Sequence, residues 1–140
     1  ITRYHEVPNY FMNGLRAGEQ YVKPDGTVIS NAMLTTPAEP SVSYAYCSDT
    51  AFRPSLIPYI EGVDLLYHEA TFAECDAARA KETFHSTARQ AAQIAKEAHV
   101  KRLVIGHYSA RYEELDQLKQ EADSLFPGTI LGNEGLRLTL

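Results

Sequence analysis

Three histidines and an acid stand where strand-like runs break off or helix-like runs begin. They lie in Ser48-Asp49-Thr50, Leu66-Tyr67-His68-Glu69-Ala70-Thr71-Phe72, His85-Ser86-Thr87-Ala88 and Ile105-Gly106-His107-Tyr108-Ser109-Ala110-Arg111-Tyr112. Such points are where an α/β protein presents polar side chains to a ligand. One carboxylate with several imidazoles is the donor chemistry of a hydrolytic metal site. The set is short of a complete site, which takes three protein ligands plus water around a catalytic zinc.

Each residue carries two readings. Asp49 follows the run Tyr44-Ala45-Tyr46-Cys47-Ser48; a carboxylate there either spans two metal ions through its two oxygens or caps a helix beginning near Phe52. His107 follows Leu103-Val104-Ile105-Gly106, where glycine leaves room for close backbone approach and a neutral imidazole serves as a ligand or as a hydrogen-bonded structural group. Glu69 is paired by type with His85. A carboxylate on an imidazole fixes its tautomer and favours its charged form, which lets His85 donate a proton. At a helix start, His85 would share an anion-binding end with the amides of Ser86 and Thr87. The alternative makes Glu69 a first-turn helix acid and His85 its ordinary neighbour.

Alternating strand and helix signals position these residues from residue 42 onward. Val42–Cys47, Val63–Tyr67 and Arg102–Ile105 are short apolar or alternating runs, read as strands. Helices are expected over Phe52–Ile60, Ala73–Thr83, Ser86–Ala98 and Tyr112–Phe126. In the third, Ser86 or Thr87 serves as cap, and Ala88, Ala91, Ala92, Ala95 and Ala98 repeat on one face. The last is striped by Leu115, Leu118, Ala122 and Leu125 and stopped by Pro127-Gly128. Two closing strands, Thr129–Leu131 and Leu136–Leu140, flank Gly132-Asn133-Glu134-Gly135. Residues 1 to 41 are richer in proline and read as a loop-like connector. Its one ribbon is a hairpin of Gln20-Tyr21-Val22 and Thr27-Val28-Ile29 around Pro24-Asp25-Gly26.

The chain has 140 residues and a formal net charge of -5. That length suits one domain, and the negative balance argues against a generic nucleic-acid coat. Cys47 and Cys75 lack metal-finger or redox spacing and are expected to be reduced. No run reaches the about 18 apolar residues of a bilayer span. A cytoplasmic protein without membrane attachment, or a piece of one beginning at Ile1, is the expectation.

Taken together, Ser48-Asp49-Thr50, His68-Glu69-Ala70-Thr71-Phe72, His85-Ser86-Thr87-Ala88 with Gln90-Ala91-Ala92, His107-Tyr108-Ser109-Ala110-Arg111-Tyr112, Phe126-Pro127 and Asn133-Glu134-Gly135 resemble the tRNase Z (ribonuclease Z) family of the metallo-β-lactamase superfamily. The resemblance runs in order over residues 42 to 140. It extends more weakly upstream through Leu15-Arg16-Ala17-Gly18-Glu19 and Asp25-Gly26-Thr27-Val28-Ile29.

The resemblance implies an α/β fold, the second αβ half of an αββα sandwich, from a zinc-dependent endoribonuclease that removes the 3' trailer of precursor tRNA. It makes Asp49 the acid bridging two zinc ions and His107 a ligand of one. His85 becomes the group that protonates the leaving 3' oxygen or stabilises the attacked phosphate, and Glu69 the group that orients it. Ser86, Thr87 and Arg111 become candidate contacts to the substrate phosphate, while His68 stands behind the ligands or in the structure. The family's principal metal motif, His-x-His-x-Asp-His, does not occur in this chain. The chain therefore resembles the carboxyl-terminal half, expected to be inactive alone, to bind zinc weakly and to self-associate through its uncovered sheet. The alternatives are half of another hydrolase of this fold, acting on a smaller phosphodiester or aryl sulfate, and a non-catalytic binding module.

Overall fold

The computed structural model describes residues 7–139, within which the chain divides after Ser41 into two compact units. Residues 1 to 6, read above as part of the loop-like connector, and Leu140, read as the end of a strand, lie outside the described residues.

The smaller unit contains α1 (Met12–Arg16), β1 (Tyr21–Val22), β2 (Val28–Ile29) and α2 (Asn31–Leu34). The strands pair antiparallel with Tyr21 opposite Ile29. The turn between them is closed by the Gly26 amide on the Lys23 carbonyl, with Gly26 at φ +85° where a side chain would be strained. The loop-like reading of this region is corrected by two short helices and a core of Val7, Leu15, Tyr21, Ile29 and Leu34. Helices of one turn repeat no apolar position, so periodicity could not reveal them. A long-range contact holds them instead: the Asn31 side-chain amide donates to the carbonyls of Leu15 and Glu19.

The larger unit contains β3 (Tyr44–Cys47), α3 (Ile57–Ile60), β4 (Leu65–Glu69), α4 (Ala77–Glu82), α5 (Ala88–Glu97), β5 (Leu103–Gly106), α6 (Asp116–Asp123) and β6 (Ile130–Leu131). Its four strands form one parallel sheet in the order β3-β4-β5-β6. The register sets Cys47 opposite His68 and Glu69 opposite Gly106, so β3, β4 and β5 end along one edge. Everything that follows these strands emerges side by side.

One sheet face is covered by α5 and α6. Ala88, Ala91, Ala92, Ile94 and Ala95 are buried along α5, and Leu118 and Ala122 along α6. Small alanines let α5 lie close over Leu66, Leu103 and Ile105 in the same core. On the other face Tyr67 stacks on Tyr46 at 4.7 Å between ring centroids. Gly106 is required there, because a Cβ would collide with the Tyr67 hydroxyl and approach its ring at 2.8 Å.

Several helix and strand boundaries differ from the sequence reading. Phe52–Ile60 holds a 3-10 turn at Pro54–Leu56 before α3, and Ala73–Thr83 holds another at Glu74–Asp76 before α4. The helix expected from Tyr112 begins only at Asp116. The Tyr112 hydroxyl is anchored instead, donating to Asp76 and accepting from the Ala73 amide. The strand expected after Asn133 is not formed over the described residues, where Leu136 turns back on the Asn133 carbonyl and Leu136 and Leu138 are exposed. Both cysteines are free, and no helix among the described residues is long and apolar enough to cross a membrane.

Candidate functional site

The aligned strand ends deliver Asp49, Glu69 and His107, and the start of α5 delivers His85. Asp49 and His107 occupy left-handed backbone, at φ 49° and 60°. Such conformations cost on the order of 1 kcal/mol or more and cluster where side-chain direction matters. One donor atom from each of Asp49, His85 and His107 lies within 4.8 Å of the others. His107 Nε2 is 3.1 Å from Asp49 Oδ1, and the rings of His85 and His107 are 5.3 Å apart.

Glu69 organises this cluster from beneath. It is fully buried, and its Oε1 accepts the Thr50 amide at 3.0 Å and faces His85 Nδ1 at 2.8 Å. Its Oε2 accepts both the amide and the hydroxyl of Thr71, at 3.1 and 2.7 Å. Proton accounting then assigns both imidazoles. The carboxylate is acceptor-only, so Nδ1 of His85 carries the hydrogen and Nε2 is left free. The single Thr71 hydrogen goes to Glu69, so its oxygen must accept at its other contact, His107 Nδ1 at 2.9 Å. With Nδ1 so engaged, Nε2 is the ring nitrogen that His107 turns toward Asp49, as a donor when protonated and as the ligand atom when a metal takes it. One buried carboxylate sets two tautomers, one directly and one through Thr71.

The donor set of one hard carboxylate and two imidazoles fits a divalent ion of the zinc type. Asp49 and His107 would hold it. A bound ion would supply Lewis acidity and lower the pKa of its water. Thr71→Val is expected to weaken metal affinity of a complete site about 10- to 100-fold, as lost partners of ligating imidazoles do, with Thr71→Ser retaining it. Isothermal titration with zinc measures both.

The other sequence-derived candidates fall elsewhere. Ser86 and Thr87, read above as candidate phosphate contacts, are both fully buried, because the chain there is pinned into the fold. Ser86 donates to the Thr50 carbonyl. The Thr87 hydroxyl donates to Glu74 and accepts the Gln90 amide, while its own amide donates to the Gln90 side chain in a reciprocal cap of α5. Arg111 lies over the Phe72 ring at 5.2 Å and pairs with Asp76 at 3.3 Å, half exposed. The Asp76 carboxyl is held below its ordinary range, first by the Tyr112 hydroxyl and then by Arg111. The reading of Asp49 as a helix cap is also absent, since no side-chain cap bond closes the 3-10 turn at Pro54–Leu56.

His68 is separate from the cluster. Its Nδ1 donates to the Glu69 carbonyl at 2.7 Å, and its buried Nε2 has no partner. Burial lowers its pKa from the ordinary 6.5. Since the unfolded imidazole takes a proton below that value and the folded one does not, stability is full above it and falls as pH drops through it. Denaturation at neutral and mildly acidic pH is expected to show a slope of up to about 1.4 kcal/mol per pH unit from this group. His68→Gln should remove that component.

Sequence reasoning missed Thr71 as the link to His107 and His85 as a third donor beside Asp49 and His107. The only local signal was that Glu69 and Thr71 alternate onto one side of an extended segment.

Known proteins bear on this arrangement. A family model described as the beta-lactamase superfamily domain matches residues 19–108. The chain is 68% identical over all 140 residues to Ribonuclease Z of Parabacteroides distasonis, and 56% identical over 140 residues to Ribonuclease Z of Bacteroides fragilis. It covers 46% of each of those proteins. Among solved structures, the metallo-beta-lactamase fold protein YhfI from Bacillus subtilis matches with a TM-score of 0.63 at 29% identity, over 69% of this chain and 39% of that one. The chain thus spans about half the length of the curated relatives it matches.

Proposed function

The chain belongs to the beta-lactamase superfamily, and on that premise we propose that it is one half, the carboxyl-terminal one, of a ribonuclease Z. The activity is zinc-dependent endonucleolytic removal of the 3' trailer from precursor tRNA in the cytoplasm. The observation that carries this reading is the convergence of Asp49, His85 and His107 above the buried Glu69. A phosphodiesterase needs metal ligands and a proton donor for the leaving oxygen at one place.

In this reading Asp49 and His107 face the metal. As an imidazolium His85 carries a second proton, at Nε2, for the departing 3' oxygen, while its Nδ1–H stays on Glu69. Glu69 keeps Nδ1–H occupied, so the ring cannot turn away or shift tautomer. Thr71 does the same for His107. The general base and the remaining ligands belong to a His-x-His-x-Asp-His segment, which this chain does not contain.

The test is cleavage of a precursor tRNA with a 3' trailer by the full-length parent and by this chain alone, with zinc counted by elemental analysis. The parent should cut at the acceptor end, stop cutting with a chelator and hold stoichiometric zinc. The isolated chain should be inactive and hold zinc substoichiometrically. A parent that ignores precursor tRNA but hydrolyses a small aryl phosphodiester or aryl sulfate would replace this reading with the smaller-ester hydrolase.

We also propose that the isolated chain forms a homo-oligomer. The strand β3 places Tyr44 and Tyr46 on one face, 52% and 63% exposed, with Val42 beside them. Aromatic surface of this kind is ordinarily covered in soluble proteins. Sedimentation velocity at micromolar concentration should show a dimer or larger species. A strictly monomeric boundary would remove this proposal.

A further inference from the structure

The helix α4 ends in a way that its own stability does not explain. The His85 amide bonds back to the Ala80 carbonyl at 2.8 Å and the Phe84 amide to Lys81 at 3.4 Å, the closure that follows a helix C-terminus. The position between, Phe84, sits at φ 60°. That left-handed site is ordinarily glycine or asparagine, and a bulky aromatic there is a backbone outlier. The fold gains little packing in return, because Phe84 is 75% exposed. His99 closes α5 in the same conformation, but histidine tolerates it better than phenylalanine.

The residue after Phe84, His85, lines a cleft of about 450 Å³ together with Ala51, Phe52, Ala77, Ala78, Lys81 and Gln90. Its surface is mostly apolar, and Lys81 has no carboxylate partner among the described residues. Phe84 is next in sequence to His85, the proton donor of the proposed reaction, and Lys81 is one helical turn before. An exposed aromatic face, an unpaired cation and an apolar slot are the three elements that hold unpaired nucleotides: stacking for the base, charge for the phosphate, a wall for the next ring.

We propose that Phe84, Lys81 and the cleft walled by Phe52 and Ala77 form a subsite for single-stranded RNA adjoining the scissile phosphate. One base stacks on Phe84, a neighbouring phosphate meets Lys81, and a second base enters the cleft beside His85. The strained backbone at Phe84 is what aims the ring outward. This subsite rests on the ribonuclease reading of the His85 site for its position in a reaction, but its binding is measurable without catalysis.

The experiment titrates this chain with a short single-stranded oligoadenylate, followed by amide and aromatic NMR shifts, and repeats the titration with Phe84→Gly, Phe84→Tyr and Lys81→Ala. Shifts should map to Phe84, Lys81, Ala77 and Gln90. Phe84→Gly should melt at a higher temperature than the parent sequence, since glycine relieves the left-handed position, yet bind about 5- to 150-fold more weakly. Phe84→Tyr, which keeps a π-face, should bind as the parent sequence does. Lys81→Ala should reduce the slope of log affinity against log salt by about 0.7.

Unchanged binding by Phe84→Gly, or shifts confined to other surfaces, would overturn the subsite. Kinetics in the full-length parent separate it from the function. Precursor tRNA cleaved with unaltered KM by Phe84→Gly would discard the subsite and leave the ribonuclease reading standing. Oligoadenylate bound at Phe84 in a parent that cuts no RNA would do the reverse.

Discussion

Glu69→Ala is expected to destabilise the chain by about 3–5 kcal/mol, as removal of one member of a buried charged network does. Four donors converge on that carboxylate: the Thr50 amide, the Thr71 amide, the Thr71 hydroxyl and His85 Nδ1. Alanine would strip the Thr50 and Thr71 amides and His85 Nδ1 of that partner and leave the Thr71 hydroxyl only His107, and each buried donor so abandoned costs about 1–3 kcal/mol where water cannot replace the lost bond. Partial relaxation of the half-exposed His85 keeps the total below the sum. Glu69→Gln retains the volume, but its amide nitrogen must face an N–H or O–H donor on one side, so an intermediate loss is expected. Urea denaturation measures both. The tautomers give a sharper readout, because in Glu69→Ala both His85 and His107 should lose their fixed Nδ1–H form in nitrogen-15 spectra. A loss under about 1 kcal/mol with unaltered histidine tautomers would mean that Glu69 does not organise the site.

His85→Ala in the full-length parent is expected to reduce turnover by about 10²- to 10⁴-fold, the range for a lost general acid, with metal content unchanged. Asp49→Ala should lose metal and activity together. The contrast matters because His85 offers a donor atom as close to the others as Asp49 and His107 do. What separates it is its partner: Nδ1 of His85 lies directly on the buried carboxylate, whereas His107 is held through a hydroxyl and points Nε2 at Asp49. Elemental analysis of the two variants decides the assignment. Zinc lost from His85→Ala would make His85 a ligand and require another proton donor.

The register of the sheet explains why so much of the arrangement was visible and where visibility ended. The alanine face of α5 repeats within one helix, and Thr87 with Gln90 forms its cap within four residues, so both are written locally. The Pro24-Asp25-Gly26 turn is local as well, and it closes as its residue types require. The short helices of the first unit, the late start of α6 and the irregular path after Asn133 depend on contacts across the chain. Tyr112, anchored on Asp76 and Ala73, is one such contact.

The identities of Asp49, Glu69, His85 and His107, and their places at the ends of strands and the head of a helix, were set by the order of residues alone. Apolar runs of strand length stop where these polar groups begin, and burial of such runs must leave their ends at one edge of a parallel sheet. Which donor faces which was decided only by the folded chain. Cys47 beside His68 and Glu69 beside Gly106 are pairings between segments with no shared local pattern, and they bring Glu69 under both imidazoles. The same packing buried the side chains of Ser86 and Thr87 and left Phe84 facing solvent. Side-chain direction at a loop depends on backbone sign and on neighbours distant in sequence, and neither is encoded in the spacing of the residues themselves.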